Sequence, residues 1–363
     1  MENGWIPGVK KIAVLRALVL GDFIFSLPAL EALRQAYPQA EITCITQPWA
    51  VDFVPGHARA VDRVISIRSS PHKEGDTGFL IHPEDAAWFF PQMQAEQVDL
   101  AISMQGGGIH SNPFMARMLP RFTVGLREAG ALSPDRWQQY DYYQNEVSRC
   151  LDLARLAGAP SVPWEPHLPV LPTDNEEAKD YLEQIAKPFI VLHSGARDVR
   201  RMWAPEHFAA LADQLRRSLG VEIVLTGSEV DQNAVLEVTR YMHETAWNLS
   251  SRLSLSSLTG LLARAQLVIS NDTGVLHLAL AVGTRAIGLF WGEYVSKSMP
   301  LSRTRFFPQI AWDRRCPLCG LFLDQQEVVR TDPRSCMHQV SFLGSILPEQ
   351  VFQAAQTLLD QDA

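Results

Sequence analysis

The chain predicts two doubly wound α/β domains, and three observations carry the expectation. Strand-sized apolar runs alternate with helix-sized segments through both halves, which is the pattern of a parallel sheet covered by helices. A proline-dense stretch separates the halves. The 363 residues suffice for two cores, since single domains centre near ~100–150 residues.

In the front half, Lys11–Arg16 reads as a buried strand, followed by a turn at Leu20–Asp22 and a helix over Pro28–Tyr37. Leu27, Leu30 and Leu33 recur there at the spacing of one helix face. Further strands are expected at Ile42–Ile45, Val64–Ile67, Leu100–Ser103 and Phe122–Val124, with helices over Pro83–Glu96 and Asn145–Ala157. Pro160, Pro163, Pro166, Pro169 and Pro172 then exclude regular helix or central strand and suit a stiff linker. Alternation restarts with strand Phe189–His193, helix Pro205–Leu219, strand Val221–Thr226, helices Asp231–Tyr241 and Ser256–Ala265, strand Leu267–Ser270, helix Val275–Ala281 and strand Ala286–Phe290. Beyond Gly292 the pattern weakens until an amphipathic helix at Pro348–Leu359. The expected division is a domain over 1–160, a linker over 161–187, a domain over 188–345 and a C-terminal helix over 346–363.

Hydrophobic residues at 47% and charged residues at 20% describe an ordinary soluble globular chain. A formal charge of −8 argues against broad nucleic-acid binding, which needs a basic footprint. No apolar run matches a bilayer span and the start lacks the basic and apolar regions of a secretory signal, so the expected compartment is the cytoplasm. Five cysteines do not make a disulfide scaffold. Cys44 and Cys150 lie in apolar runs and read as core. Cys316-x2-Cys319 followed by Cys336-x-His338 is different, being a sufficient ligand set for a structural zinc or iron ion, with plain reduced thiols as the alternative.

Open α/β sheets bind ligands at their carboxyl edges, often between two such domains, so the polar residues ending each strand are the site candidates. The apolar run Ala265–Ile269 stops at Ser270-Asn271-Asp272-Thr273-Gly274, with His277 a turn later. Asp272 or Thr273 could cap the following helix or touch a ligand, and exposed amides at a helix start favour an anion. His277 reads either as a hydrogen-bonded core histidine or as a catalyst. The loop His193–Trp203 leaves a strand, carries Arg197, Arg200 and Arg201 and runs into a helix opened by Pro205. Small residues and arginine forks suit a phosphate cradle, whereas the plain alternative is a solvated basic loop. No P-loop or dinucleotide glycine fingerprint occurs. In the front domain Asp22 could accept a proton from an incoming hydroxyl or merely cap a helix.

With these residues in view, the chain resembles glycosyltransferase family 9, the family of the lipopolysaccharide heptosyltransferases. The resemblance rests on Arg16–Asp22 with Leu27–Leu30, His193–Ala196 with Arg201–Phe208, Val224–Gly227, and Ser270–Gly274 with His277. It implies a GT-B fold: two Rossmann-like domains facing across a cleft, with the acceptor on the first and the nucleotide sugar on the second. It also implies inverting transfer with no cofactor required for catalysis, from ADP-heptose in the heptosyltransferases, to a lipopolysaccharide core or related glycan. Asp22 matches the family's proposed base. Arg201 stands where a diphosphate-binding lysine is common, and Asp272, Thr273, Gly274 and His277 match the donor motif. Ser194, Gly195 and Arg197 would line the phosphate loop, with Ser194 replacing a common proline, and Thr226, Gly227 and Glu229 would border the nucleoside. Some relatives hold iron in a cysteine finger, which bears on Cys316, Cys319, Cys336 and His338. Met104–Gly108 with Ser111–Phe114 resembles less characterised members, leaving the acceptor open. The alternatives are a sugar-nucleotide epimerase or hydrolase, and a non-catalytic scaffold organised by the cysteine finger. A lipid-linked acceptor would call for peripheral contact with the inner membrane, for which Trp88, Phe89, Phe90, Arg117, Arg121 and Arg127 are candidates, core aromatics and solvated charges being the plainer reading.

Overall fold

The computed structural model describes residues 4–70, 80–322, 336 and 338–360; Met337 between two candidate metal ligands and residues 361–363, expected as the end of the last helix, lie outside the described residues. The chain divides into two compact units between Pro166 and His167.

The first unit holds β1 (Lys11–Leu15), α1 (Leu20–Ala36), β2 (Glu41–Thr46), the short kinked α2 (Val54–His57), β3 (Arg63–Ser66), an antiparallel pair β4 (Ser69–Ser70) and β5 (Leu80–Ile81), α3 (Pro83–Glu96), β6 (Leu100–Ser103), α4 (Ser111–Arg117), β7 (Phe122–Arg127), β8 (Arg136–Gln139) and α5 (Glu146–Leu156). Its sheet is parallel throughout, in the order β3-β2-β1-β6-β7-β8. β1 is central: Ile12, Ala13, Val14 and Leu15 are all buried because both faces carry helices. Helix α1 begins eight residues earlier than the leucine spacing indicates, at Leu20 rather than Pro28. Phe23, Ile24 and Leu27 extend the buried face backward, and that burial outweighs the lost amide of Pro28. Asp22 therefore sits in the first turn of a helix and not in a preceding loop. Strand β8 escapes sequence detection because Arg136-Trp137-Gln138-Gln139 lies at the sheet edge and has no apolar alternation. Asn145 caps α5, its side chain accepting from the Val147 amide at 3.1 Å.

The second unit holds α6 (Pro172–Ile185), β9 (Phe189–His193), α7 (Pro205–Leu219), β10 (Glu222–Thr226), α8 (Gln232–Tyr241), β11 (Trp247–Asn248), α9 (Leu255–Arg264), β12 (Leu267–Asn271), α10 (Gly274–Ala281), β13 (Ala286–Trp291), α11 (Val295–Ser298), β14 (Phe306–Ala311) and a C-terminal helix (Pro348–Asp360). Its parallel order, β11-β10-β9-β12-β13-β14, repeats that of the first sheet. The proline-rich stretch stays irregular only to Leu171; Pro172 opens α6, a place where the missing amide costs nothing, and Asp174 accepts from the Leu171 amide at 2.8 Å. So part of the segment read as linker is a helix packed on α9. Strand β14 is another element missed. Its Pro308 argues against a central strand, yet β14 lies at the edge, where a missing donor is tolerated.

In both sheets the chain winds outward from one strand, returns, and winds the other way, so strand order reverses between β1 and β6 and between β9 and β12. Loops diverge at such switch points and leave a crevice at the carboxyl edge.

The α6–α9 contact is close enough to test. A Cβ on Gly260 would lie 2.3 Å from the Asp174 carbonyl oxygen and 2.9 Å from the Ala178 side chain. Because backbone cannot yield as a side-chain tip can, Gly260→Ala is expected to cost about 1–3 kcal/mol in urea unfolding. Gly344→Ala would place its methyl group in open space and should stay within about 0.5 kcal/mol.

Candidate functional site

At the second switch point, β12 ends on Asn271, whose buried side chain closes the arginine loop at both ends. Its Nδ2 donates to the carbonyls of Ser194 (2.8 Å) and Gly195 (3.3 Å), and its Oδ1 accepts from the Trp203 amide at 3.0 Å. The sequence motif contains Asn271 but gives no sign of this role. Trp203 is fixed further by its indole, which donates to the Ile346 carbonyl at 2.9 Å, while the Phe342 amide donates to the Arg200 carbonyl. Gly195 serves packing: a Cβ there would lie 2.2 Å from Asp231 Oδ1. Asp231 in turn accepts from the amide and hydroxyl of Ser228 at 2.9 and 2.6 Å.

Arg201 and Asp272 form the centre of this edge. Arg201 donates to the Asp272 carboxylate at 2.8 Å and to the Asp272 carbonyl, and its guanidinium lies 4.3 Å from the centre of the Tyr294 ring. Asp272, 2% exposed, also meets His277 Nε2 at 3.1 Å and accepts from Ser298 Oγ at 2.7 Å. Burial works to raise the Asp272 pKa, but Arg201, His277 and Ser298 outweigh it and hold the carboxyl below its ordinary value. The capping expectation fails here. Thr273 is the N-cap of α10 and no side chain caps it, while the Thr273 hydroxyl lies 3.1 Å from Ser270 Oγ. His277 is a buried, partnered histidine, and Gly274 opens α10. Tyr294 and Ser298 escape sequence reading because β13 is followed by a region without periodicity.

The cradle is narrower than three arginines. Arg200 forks onto its neighbour Asp198 at 2.8 and 2.6 Å and is committed there. Arg197 is exposed and forms no ion pair among the described residues, and Arg201 is 23% exposed. Thr226 is buried, with its carbonyl 3.1 Å and its hydroxyl 3.3 Å from His193 Nδ1. Burial holds the His193 pKa below the ordinary imidazole value, so the ring is neutral at pH 7. The Gly227 carbonyl accepts from the Ser251 amide at 2.8 Å, and Glu229 is exposed at the start of a 3₁₀ turn.

At the first switch point, Arg16 is 1% exposed and gathers three segments. Its Nε donates to the Asp22 carbonyl at 2.8 Å, a second nitrogen donates to the Met104 carbonyl, and the third lies 3.2 Å from Glu146 and 3.8 Å from the Asp22 carboxylate. Asp22 does not cap α1: the N-cap is Val19 and no side-chain bond is made there. Its side chain is 31% exposed. In the glycine run beside it, a Cβ on Gly107 would overlap the Glu128 carboxylate and one on Gly108 (φ +99°) the Leu126 carbonyl, so these glycines permit close loop packing.

The cysteine region converges. Cys316, Cys319, Cys336 and His338 present donor atoms all within 4.8 Å of one another. Cys319 Sγ lies 3.6 Å from Cys336 Sγ, and His338 Nδ1 lies 3.4 Å from Cys336 Sγ and 3.6 Å from Cys316 Sγ. Tetrahedral zinc with bonds of ~2.3 Å to sulfur and ~2.0 Å to nitrogen requires edges of roughly 3.5–3.8 Å, and these three separations lie close to that range. Cys44 and Cys150 are core residues whose thiols burial pushes up to about 12 and about 11.

The residues suggested for membrane contact are mostly occupied elsewhere. Phe89 and Phe90 are buried with Phe114, Arg117 lies 3.7 Å from the Phe90 ring centre, Arg121 pairs with Asp99 at 3.7 Å, and Arg127 stacks over Trp137. Trp88 alone of the three aromatics is exposed. No helix among the described residues is long and apolar enough to cross a membrane.

Asp272→Ala removes the partner of Arg201 and is expected to cost about 2–3 kcal/mol at pH 7. A carboxyl whose folded pKa is depressed stabilises above its unfolded pKa and loses that stabilisation as pH falls through the folded value. The gap between wild type and variant in urea unfolding should therefore be constant above about pH 5 and close below about pH 4.

Known proteins share this architecture. Lipopolysaccharide heptosyltransferase 2 of Salmonella typhimurium is 23% identical over 367 residues, covering 97% of this chain and 99% of its own. The structure of E. coli ADP-heptose lps heptosyltransferase II superposes with a TM-score of 0.71 at 19% identity, covering 98% and 99% of the two chains. The iron-containing dodecameric glycosyltransferase TibC from enterotoxigenic E. coli H10407 superposes at 0.59 with 13% identity, covering 99% of this chain and 78% of its own. The fold is thus GT-B, built here from two Rossmann-like domains. The model of glycosyltransferase family 9 (heptosyltransferase) matches residues 88–305. By that match across more than half its length, the chain belongs to glycosyltransferase family 9.

Proposed function

We propose that the protein transfers a heptosyl residue from ADP-heptose to a lipopolysaccharide core or related glycan, inverting the anomeric centre without a catalytic metal. The observation that carries this reading is the held arginine at the second switch point. Arg201 is fixed by Tyr294 and by Asp272 just before the start of α10, and remains 23% exposed there. A diphosphate leaving group needs its developing charge stabilised, and a fixed guanidinium with helix-start amides does so without reorganising.

In the step itself, the acceptor hydroxyl oxygen attacks the anomeric carbon while its proton passes to the Asp22 carboxylate. The bond from that carbon to the phosphate oxygen breaks, and the electron pair leaves with ADP. One displacement inverts the centre. On this reading the domain over 1–160 receives the acceptor and that over 188–345 the donor. Ser194, Gly195, Arg197 and Arg201 form the phosphate loop, Thr226, Gly227 and Glu229 border the nucleoside, and Asp272, Thr273, Gly274 and His277 complete the donor edge. A lipid-borne acceptor places the work at the cytoplasmic face of the inner membrane. Cys316, Cys319, Cys336 and His338 would hold one structural zinc or iron ion, cross-linking the chain beyond β14.

Two measurements test the reading. Mass spectrometry of core-truncated lipopolysaccharide incubated with ADP-heptose should show one added heptose, and Asp22→Asn should lower kcat by about 10²–10⁴-fold with little change in donor Kd. Acceptor-independent release of ADP, as an epimerase or hydrolase would give, or full activity of Asp22→Asn, would overturn it. Elemental analysis should find about one zinc or iron per chain, abolished by Cys316→Ser with Cys319→Ser; metal-free protein that loses no stability in chelator would remove the metal.

A further inference from the structure

We propose that Glu146 sets the basicity of Asp22 by competing with it for the guanidinium of Arg16. The inference rests on the reading of Asp22 as base and extends it to a positioning residue on α5 that touches no substrate.

Arg16 is held in place against either carboxylate, because its other two nitrogens donate to the carbonyls of Asp22 and Met104 and it is almost wholly buried. One nitrogen therefore serves both: it lies 3.2 Å from Glu146 Oε2, within hydrogen-bond range, and 3.8 Å from Asp22 Oδ1, beyond it. Glu146 is itself held. Arg149 donates to its second carboxylate oxygen, and Arg149 is fixed by the carbonyls of Asp141, Tyr142 and Gln144 and by the face of Tyr140, 4.8 Å away.

Arg16 from the end of β1 and the Cys150 thiol from α5 each interact electrostatically with both Asp22 and Glu146, while Arg149 reaches Cys150 and Tyr140, and Tyr140 also faces Glu146, Glu128 and Asp141. The Cys150 thiol is neutral, pushed up to about 11 by burial. Asp22 at 31% exposed reaches solvent more than Glu146 at 15%. Charge that Arg16 spends on Glu146 is withheld from Asp22. That matters because a carboxylate tightly paired with arginine is a poor base, and general-base catalysis improves as the base approaches the working pH. An acidic residue in the first turn of α5 would also favour the helix dipole. A dipole partner has no need of two buried arginines.

The test reads Asp22 directly. In protein labelled with 13C at aspartate Cγ, the Asp22 resonance is identified by its loss in Asp22→Asn and titrated without substrate. Glu146→Gln keeps the shape but frees Arg16, so the Asp22 midpoint should fall by about one pH unit. With ADP-heptose and core-truncated lipopolysaccharide, the acid limb of kcat/KM should move down with it. Plateau kcat should fall roughly threefold with donor KM unchanged. Arg149→Gln releases Glu146 onto Arg16 and should move the midpoint up, and Glu146→Asp should return toward wild type. If Glu146→Gln does not fold, the upward shift in Arg149→Gln decides. An unmoved Asp22 midpoint overturns the proposal while leaving Asp22 as base; full activity of Asp22→Asn overturns the base reading instead.

Discussion

A guanidinium taken out of water must find acceptors for its N–H groups and a negative charge for its own, and both domains of this protein are organised around that requirement. Each switch point carries an arginine that grips an aspartate by its backbone carbonyl and approaches the same aspartate's carboxylate. Arg16 does so with Asp22 and Arg201 with Asp272. The shared strand order places both aspartates at carboxyl edges, where the arginines tie them to neighbouring segments.

The two clusters divide their charge differently. At the second edge the aspartate is sealed: Asp272 is buried among Arg201, His277 and Ser298, and the arginine is the more exposed partner. At the first edge the arginine is sealed, and the aspartate keeps the open face. The first edge thus exposes a carboxylate held by an arginine and the second an arginine held by a carboxylate. Tyr294, Asn271 and Trp203 hold the cationic edge from separate elements, so its geometry depends on the packing of the whole second domain.

Much of this is legible in the sequence where the signal is local. The helix over Pro83–Glu96 and the strand over Leu100–Ser103 have the bounds their periodicity indicates, and the motif around Asp272 lies at the predicted strand end. Local signals also mislead. Pro28 looks like a helix start because proline favours first turns, but the apolar face continues behind it. β8 and β14 lack alternation because edge strands bury little. The roles of the charged residues are not legible at all. Arg201 meets Asp272 71 positions away and Arg16 meets Glu146 130 positions away, distances over which no spacing rule operates. Three arginines in one loop look equivalent until the fold shows Arg200 spent on Asp198.

The margins of the two sheets have a consequence of their own. β11 is two residues long, β3 carries Arg63, β8 is polar, and β14 contains Pro308, so each outermost strand is short, charged, polar or missing a donor. Such borders are poor templates for ladder extension by another chain. Crowded copies of the chain would therefore resist lateral β-aggregation through these borders, and contacts between side chains are left as the easier route to any assembly.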